Sequence, residues 1–174
     1  MQPEIKKCHI CGRESSFYSE YLKQSLCKKH LERMLTKRIR SALISKDYKQ
    51  RKFRLSPDNS DAYKIEKFVF REDNKSSLLL MNFTLEDFAL SVLDYFLSGN
   101  KPKQKIGSKT FFNPLYTASD EEIAAFLTSK GEKTKPKKIT KKQEYLMEFI
   151  KDIEKRRPGG MLSIVKMGEK IGII

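Results

Sequence analysis

The sequence predicts an α+β protein in which helices outweigh strands, and three observations carry that prediction. Cysteine and histidine pairs crowd the first 30 positions, apolar residues recur at helical spacing from Leu26 onward, and capping boxes open two helices further along. At 174 residues the chain has the size of one domain, or of one domain with a small appendage. Hydrophobic residues make up 39%, enough for a core, whereas a charged fraction of 33% makes that core lean and the surface heavily charged.

Cys8 and Cys11 are two residues apart, and after a spacer of 15 residues Cys27 and His30 repeat that spacing. Two short chelating pairs of thiolate and imidazole donors suit one tetrahedral zinc ion. Gly12, directly after the second cysteine, permits the tight backbone of such a knuckle. His9 lies between two ligands and takes no metal role. Four protein ligands close the coordination shell, so the zinc is structural: it holds the segment folded and does no chemistry. A disulfide would leave one of the three cysteines over, and the paired spacing argues against free thiols in a reducing cytosol.

From Leu26 to Ile44 the residues Leu31, Leu35, Ile39 and Leu43, with Met34 and Ala42 beside them, mark one face of an amphipathic helix. The other face carries Lys28, Lys29, Arg33, Lys37, Arg38 and Arg40. The basic run continues through Lys46, Lys49, Arg51, Lys52 and Arg54, opposed only by Glu32 and Asp47. With a formal net charge of +14 and a pI near 9.7, such a one-sided face attracts polyanions, and an RNA backbone is the polyanion it fits best. Two alternatives compete. A Lys-rich surface can merely keep a protein soluble. Binding to acidic lipid would need an exposed bulky apolar face, which this helix spends on the core.

Beyond the basic run, 52–55 reads as a short strand, followed by the turn-rich Ser56-Pro57-Asp58-Asn59-Ser60-Asp61. Ala62 to Phe70 reads as a helix or strand, and Arg71 to Ser77 as a polar break. The most apolar stretch, Leu78 to Met81, is far shorter than the roughly 20 residues of a membrane span. Met1 to Lys7 lacks the apolar run of a secretory signal, which places the protein in the cytosol. Thr84 and Asp87 form a capping box for a helix that runs to Leu97 and stops at Gly99. A lysine-rich loop, 101–109, with Lys101, Lys103 and Lys105, leads to Phe111-Phe112-Asn113-Pro114-Leu115. Ser119 and Glu122 cap the next helix, which ends near Gly131. The Lys-, Thr- and Pro-rich stretch from Lys130 to Lys142, with Lys137 and Lys138 at its centre, reads as a mobile basic linker. A final amphipathic helix, Thr140 to Arg157, bears Tyr145, Leu146, Phe149, Ile150 and Ile153 and ends at Pro158-Gly159-Gly160. Residues 161–174 have too little periodicity to assign.

Taken in order, several of these segments resemble the tRNA 2-thiolation enzymes of the PP-loop ATP pyrophosphatase superfamily. Those enzymes begin with a similar zinc ribbon that runs into a basic helix, as Cys27-Lys28-Lys29-His30-Leu31 and Arg38-Ile39-Arg40 do here. Thr84-Leu85-Glu86-Asp87 through Phe96-Leu97-Ser98-Gly99-Asn100 is similar to the family's Asn-Leu-Asp-Asp segment and its helix. Asn113-Pro114-Leu115 and Glu154-Lys155-Arg156-Arg157-Pro158-Gly159 are further matches. The resemblance implies four parts: a zinc ribbon over 1–30, a basic helix with a reduced PP-loop-like α/β core over 31–132, the linker 133–142, and a C-terminal helix and tail over 143–174.

Departures from the family pattern carry as much meaning. The family's Ser-Gly-Gly-x-Asp-Ser loop binds ATP phosphates, and Ser56 to Asp61 stands in its place as a degenerate nucleotide loop. A phosphate cradle needs small residues with converging amides. Here Pro57 removes one amide, and Asp58 and Asp61 put negative charge where phosphates would sit. The stretch from this loop to Thr84 is too short for several strand and helix units. No cysteine follows Cys27, so catalytic thiols, iron-sulfur ligands and the family's second zinc module are all missing. The resemblance therefore implies a shrunken, non-catalytic relative that binds structured RNA, either tRNA or ribosomal RNA, alone or with a ribosomal subunit. A second reading is a pseudo-enzyme subunit docked on a thiolation enzyme or its sulfur carrier. A third is a residual enzyme with Glu86 and Asp87 as its carboxylate pair, although helix-dipole acids explain those two equally well.

Overall fold

The computed structural model describes residues 7–19, 22–44, 48, 52–58 and 60–174; Lys46, Asp47, Lys49, Arg51 and Asn59 lie outside this set. At the N-terminus, β1 (Phe17–Ser19) and β2 (Gln24–Leu26) pair antiparallel, with Phe17 opposite Leu26. The hairpin feeds directly into α1 (Lys28–Ile44), whose Leu31, Leu35, Ile39, Ala42 and Leu43 are buried at the expected helical spacing.

Three two-residue strands follow: β3 (Arg54–Leu55), β4 (Leu79–Leu80) and β5 (Phe111–Phe112), all parallel and in the order β3-β4-β5. Helix α2 (Asp61–Val69) connects the first two strands and α3 (Leu85–Ser98) the last two. The ambiguous stretch 62–70 is thus a helix, capped by Ser60, whose Oγ accepts from Tyr63 N at 3.1 Å. As the capping pattern at Thr84 predicts, the Asp87 carboxylate accepts from Thr84 N at 2.9 Å, and Gly99 ends α3 in the left-handed conformation at φ 71°. Leu55, Leu80 and Phe112 project to one side of the sheet and join Phe88 and Ala89 of α3 in the larger of two hydrophobic clusters. A 3-10 turn (Pro114–Thr117) and α4 (Asp120–Ser129) follow β5. Leu115, Ile123 and Phe126 pack with α1 and α2 in the second cluster.

Helix α5 (Lys141–Arg156) buries Leu146 and Ile150 but leaves Tyr145 and Phe149 exposed, so its apolar face is narrower than the sequence pattern suggests. Residues 160–170, unassigned from the sequence, form α6, which lies against α3. Gly168 permits this packing: a Cβ there would come within 2.4 Å of Val92 Cγ2. Glu154, buried at the end of α5, accepts from Gly159 N at 2.6 Å and Met161 N at 2.9 Å, and so caps α6. Among the described residues no helix is long and apolar enough to cross a membrane.

Candidate metal centre and strand-end cleft

In the ribbon, the Cys8 carbonyl accepts from Gly12 N at 2.8 Å, closing a knuckle in which Gly12 takes φ 68°. The second pair is built differently. Cys27 immediately precedes α1, and its carbonyl accepts from His30 N at 3.0 Å and Leu31 N at 2.9 Å, so the first helical turn presents His30 beside it. The donor atoms of Cys8, Cys11, Cys27 and His30 all lie within 4.8 Å of one another and can hold a metal ion. Cys11 Sγ and Cys27 Sγ are 3.8 Å apart, and His30 Nδ1 is 3.4 Å from both Cys8 Sγ and Cys27 Sγ. Two sulfurs bound at about 2.3 Å to one tetrahedral ion are about 3.8 Å apart, and a sulfur and an imidazole nitrogen about 3.5 Å apart. His9 stands outside the group, as the sequence implies.

The electrostatics of the four donors suit a cation. Burial pushes the Cys8 thiol up, but the backbone amides of Cys27, Ile10 and Cys11, with the His30 ring, outweigh it and bring it down to about 5. For Cys11 the Arg13 amide lowers the thiol, while burial and the neighbouring sulfurs of Cys8 and Cys27 raise it, and the net shift is upward. A cation beside these sulfurs would favour the thiolate forms of Cys8 and Cys11.

The six cations of α1 divide into two groups. Lys29, Arg33, Lys37 and Arg40 follow at i, i+4, i+8 and i+11, which makes one exposed stripe. Arg40 also donates to Val69 O at 3.0 Å. Lys28 is exposed to one side of the stripe. Arg38 turns inward and donates to Glu122 of α4, a residue only 2% exposed. Glu122 is also the acid of the α4 capping box, accepting from Ser119 N at 3.2 Å, and it takes a 3.4 Å hydrogen bond from Ser19 Oγ of the hairpin. One carboxylate thus ties ribbon, α1 and α4 together. The sequence shows Glu122 as a capping acid; its partners 84 and 103 residues away carry no local signal.

A cleft of about 640 Å³ opens at the C-terminal ends of β3 and β4, bordered by the starts of α2, α3 and α4. This is where ligands sit in parallel α/β sheets. Its lining is acidic: Asp58, Asp61, Asp87, Asp120 and Glu121. Asp58 accepts from Ser60 N at 2.8 Å and from the Asn82 amide, and Asp61 pairs with Lys64 at 3.2 Å. The stretch 134–137 lies against this lining and supplies the counter-charge. Lys137 Nζ donates to Asp87 Oδ2 at 2.5 Å and lies 3.8 Å from Asp120 Oδ2, while Lys135 N donates to Asp61 Oδ2 at 3.0 Å. The segment read as a mobile linker is therefore fastened across the cleft, because long-range carboxylates satisfy it. Lys138, Lys101, Lys103 and Lys105 remain exposed.

Glu86 and Asp87 meet different partners. Asp87 faces Lys137, whereas Glu86 is buried and accepts from Asp120 N at 2.9 Å. Burial, and then the Asp120 charge, push the Glu86 carboxyl well above the usual range. In the loop after β3, Pro57 has no backbone N–H to donate and Asp58 adds a carboxylate to the cleft lining.

No protein-family model matches the chain, and no curated protein matches it in sequence. Among solved structures it is similar to a chain described as U34-tRNA thiolase NcsA from Methanococcus maripaludis with its [4Fe-4S] cluster. The TM-score is 0.78 at 12% identity, over 95% of this chain and 87% of that chain. At that identity the likeness is one of fold alone.

Proposed function

We propose that this chain is a zinc-containing, non-catalytic protein that binds structured RNA, with tRNA the first candidate and ribosomal RNA the second. The carrying observation is a contrast within a tRNA-thiolase fold. The strand-end cleft is lined by carboxylates and closed by the chain's own Lys137, while α1 keeps a row of cations directed outward. Phosphates are repelled from the first surface and attracted to the second.

The donor set favours zinc. A [4Fe-4S] cluster takes four thiolates on separate irons, whereas the three cysteines of this sequence sit with His30 at the close spacing of one shared ion. Zinc bound there fixes Cys27 and His30, and with them the start of α1, so the cationic stripe keeps its geometry.

Reversing Arg33, Lys37 and Arg40 to Glu tests the reading against reversal of Lys133, Lys138 and Lys141, an equal change in net charge. In a filter-binding assay with tRNA, the helix triple loses on the order of 100-fold in affinity and the second triple much less. Wild-type affinity falls steeply with salt, with a log-log slope of about 0.7 to 0.9 per phosphate neutralised. Equal losses would mean diffuse attraction and no recognition surface. No loss in either would move the function to a protein partner, such as a thiolation enzyme or its sulfur carrier.

A further inference from the structure

One face of the three-stranded sheet opens into a recess. Because β3, β4 and β5 lie in chain order with no reversal, right-handed crossovers put both α2 and α3 on the same side. Parallel sheets are otherwise covered on both faces. On the open face Arg54, Leu79 and Phe111, one residue from each strand, stand in direct register. Arg54 is exposed and the other two are half-buried, whereas Leu55, Leu80 and Phe112, one position on, are at most 1% exposed.

A recess of about 370 Å³ lies over this row, with Lys103 and Lys105 on its rim beside Arg54; among the described residues no carboxylate lines it. The lysine loop is not free to wander there. Asn113 Nδ2 donates to Lys105 O at 2.5 Å, Asn113 N donates to Ile106 O at 2.8 Å, and Ser108 N donates to Phe111 O at 2.8 Å, so the loop runs alongside β5. Gly107 makes that approach possible, since a Cβ would come within 2.8 Å of the fully buried Phe112 ring. Arg54, Lys103 and Lys105 thus line the same recess as the half-buried Phe111.

We infer that this open sheet face binds unpaired nucleotides of RNA, with a base stacked on Phe111 and flanking phosphates met by Arg54, Lys103 and Lys105. A ring set in a sheet among cations is a general solution for single-stranded RNA, because every base offers a π-face and every linkage a negative charge. An apolar protein partner would bury the three cations without counter-charge, which is costly. The inference rests on the RNA-binding reading and adds a second mode to it: the α1 stripe faces duplex backbone, and the recess takes unpaired bases.

The chain has no tryptophan, so Phe111→Trp in the full chain is a lone fluorescent reporter. Titration with single-stranded oligouridylate of about ten nucleotides quenches its emission saturably, and a duplex of the same length does not. Phe111→Leu keeps an apolar side chain but loses the stack, and weakens oligouridylate binding at least about fivefold while duplex binding stays. Arg54→Ser, at an exposed position, weakens the same probe with no change to the core, and keeps the test decisive if the Phe111 variants fold poorly. If oligouridylate binds yet emission is unchanged and both variants bind like wild type, the recess is not the site, and the helix triple still decides whether α1 binds RNA. If wild type binds neither probe, the RNA reading itself fails. Quenching by a polyglutamate peptide in place of oligouridylate would assign the recess to a protein partner and overturn the inference.

Discussion

In the ribbon, three thiols and an imidazole converge on a point that could hold a metal ion; in the strand-end cleft, clustered carboxylates take their counter-charge from Lys137 and Lys64 of the same chain. The first arrangement is short-range in sequence and stiff, because two x2 pairs can close on one ion with few residues to order. The second joins residues 50 positions apart and leaves Lys137 partly exposed, so it is weaker and screened by solvent. Both regions gather negative charge. On the proposed reading the ribbon's set is answered by a bound ion, whereas the cleft's is answered by the chain itself.

The largest effect expected from breaking this contrast lies in the ribbon. Cys8→Ser, Cys27→Ser or His30→Ala each removes one of four ligands and unfolds the hairpin, since such modules draw much of their stability, on the order of 10 kcal/mol, from the metal. Metal analysis gives one zinc per wild-type chain and none per variant, with loss of the hairpin's dispersed amide resonances. A zinc-free protein with an unchanged hairpin would refute the assignment.

A smaller effect is expected in the cleft. Lys137→Met leaves Asp87 and Asp120 without their shared cation and lowers stability by about 1–2 kcal/mol near neutral pH. The Asp120 carboxyl is already raised, by burial first, so the loss should shrink in acid as it takes up a proton. Denaturant titrations at two pH values measure both parts.

Glu66 offers a sharper test of similar size. It is fully buried on α2, and neither carboxylate oxygen has a hydrogen-bond partner. Burial, then the Asp58 charge, push its pKa well above the ordinary 4.5. The unfolded chain therefore releases this proton at lower pH than the folded one. Folding loses stability as pH climbs from about 4.5 to the raised value, and nothing is lost below that window. Glu66→Gln should be more stable than wild type by about 1–2 kcal/mol at pH 8, with the gain gone near the ordinary carboxylate value. A gain that does not change with pH would contradict a buried proton on Glu66.

Sequence made the local parts of this molecule legible. The Cys and His group that could hold a metal, the caps at Thr84 and Ser119, and the stop at Gly99 are all written within a few residues of where they act. What escaped depends on distant partners. Gly160 and Gly168 look like breakers until α6 is seen against Ile153 and Val92, where a Cβ has no room. Lys137 and Arg38 look like free surface cations until Asp87 and Glu122 are brought to them. Tyr145 and Phe149 fit an apolar helical period, yet only part of that face finds a neighbour. The row of Arg54, Leu79 and Phe111 is unreadable for the same reason, since it follows from strand order and register and not from any one segment.

Calorimetric titration of the full chain with ATP and magnesium tests most directly the proposal that the acidic strand-end cleft does not hold nucleotide phosphates. Pro57 and the carboxylates of Asp58, Asp61, Asp87 and Asp120 predict no binding tighter than about 0.1 mM, equivalent to roughly 5.5 kcal/mol, under conditions where tRNA binds. Saturable ATP binding below that concentration would contradict the account and return the chain to the catalytic reading.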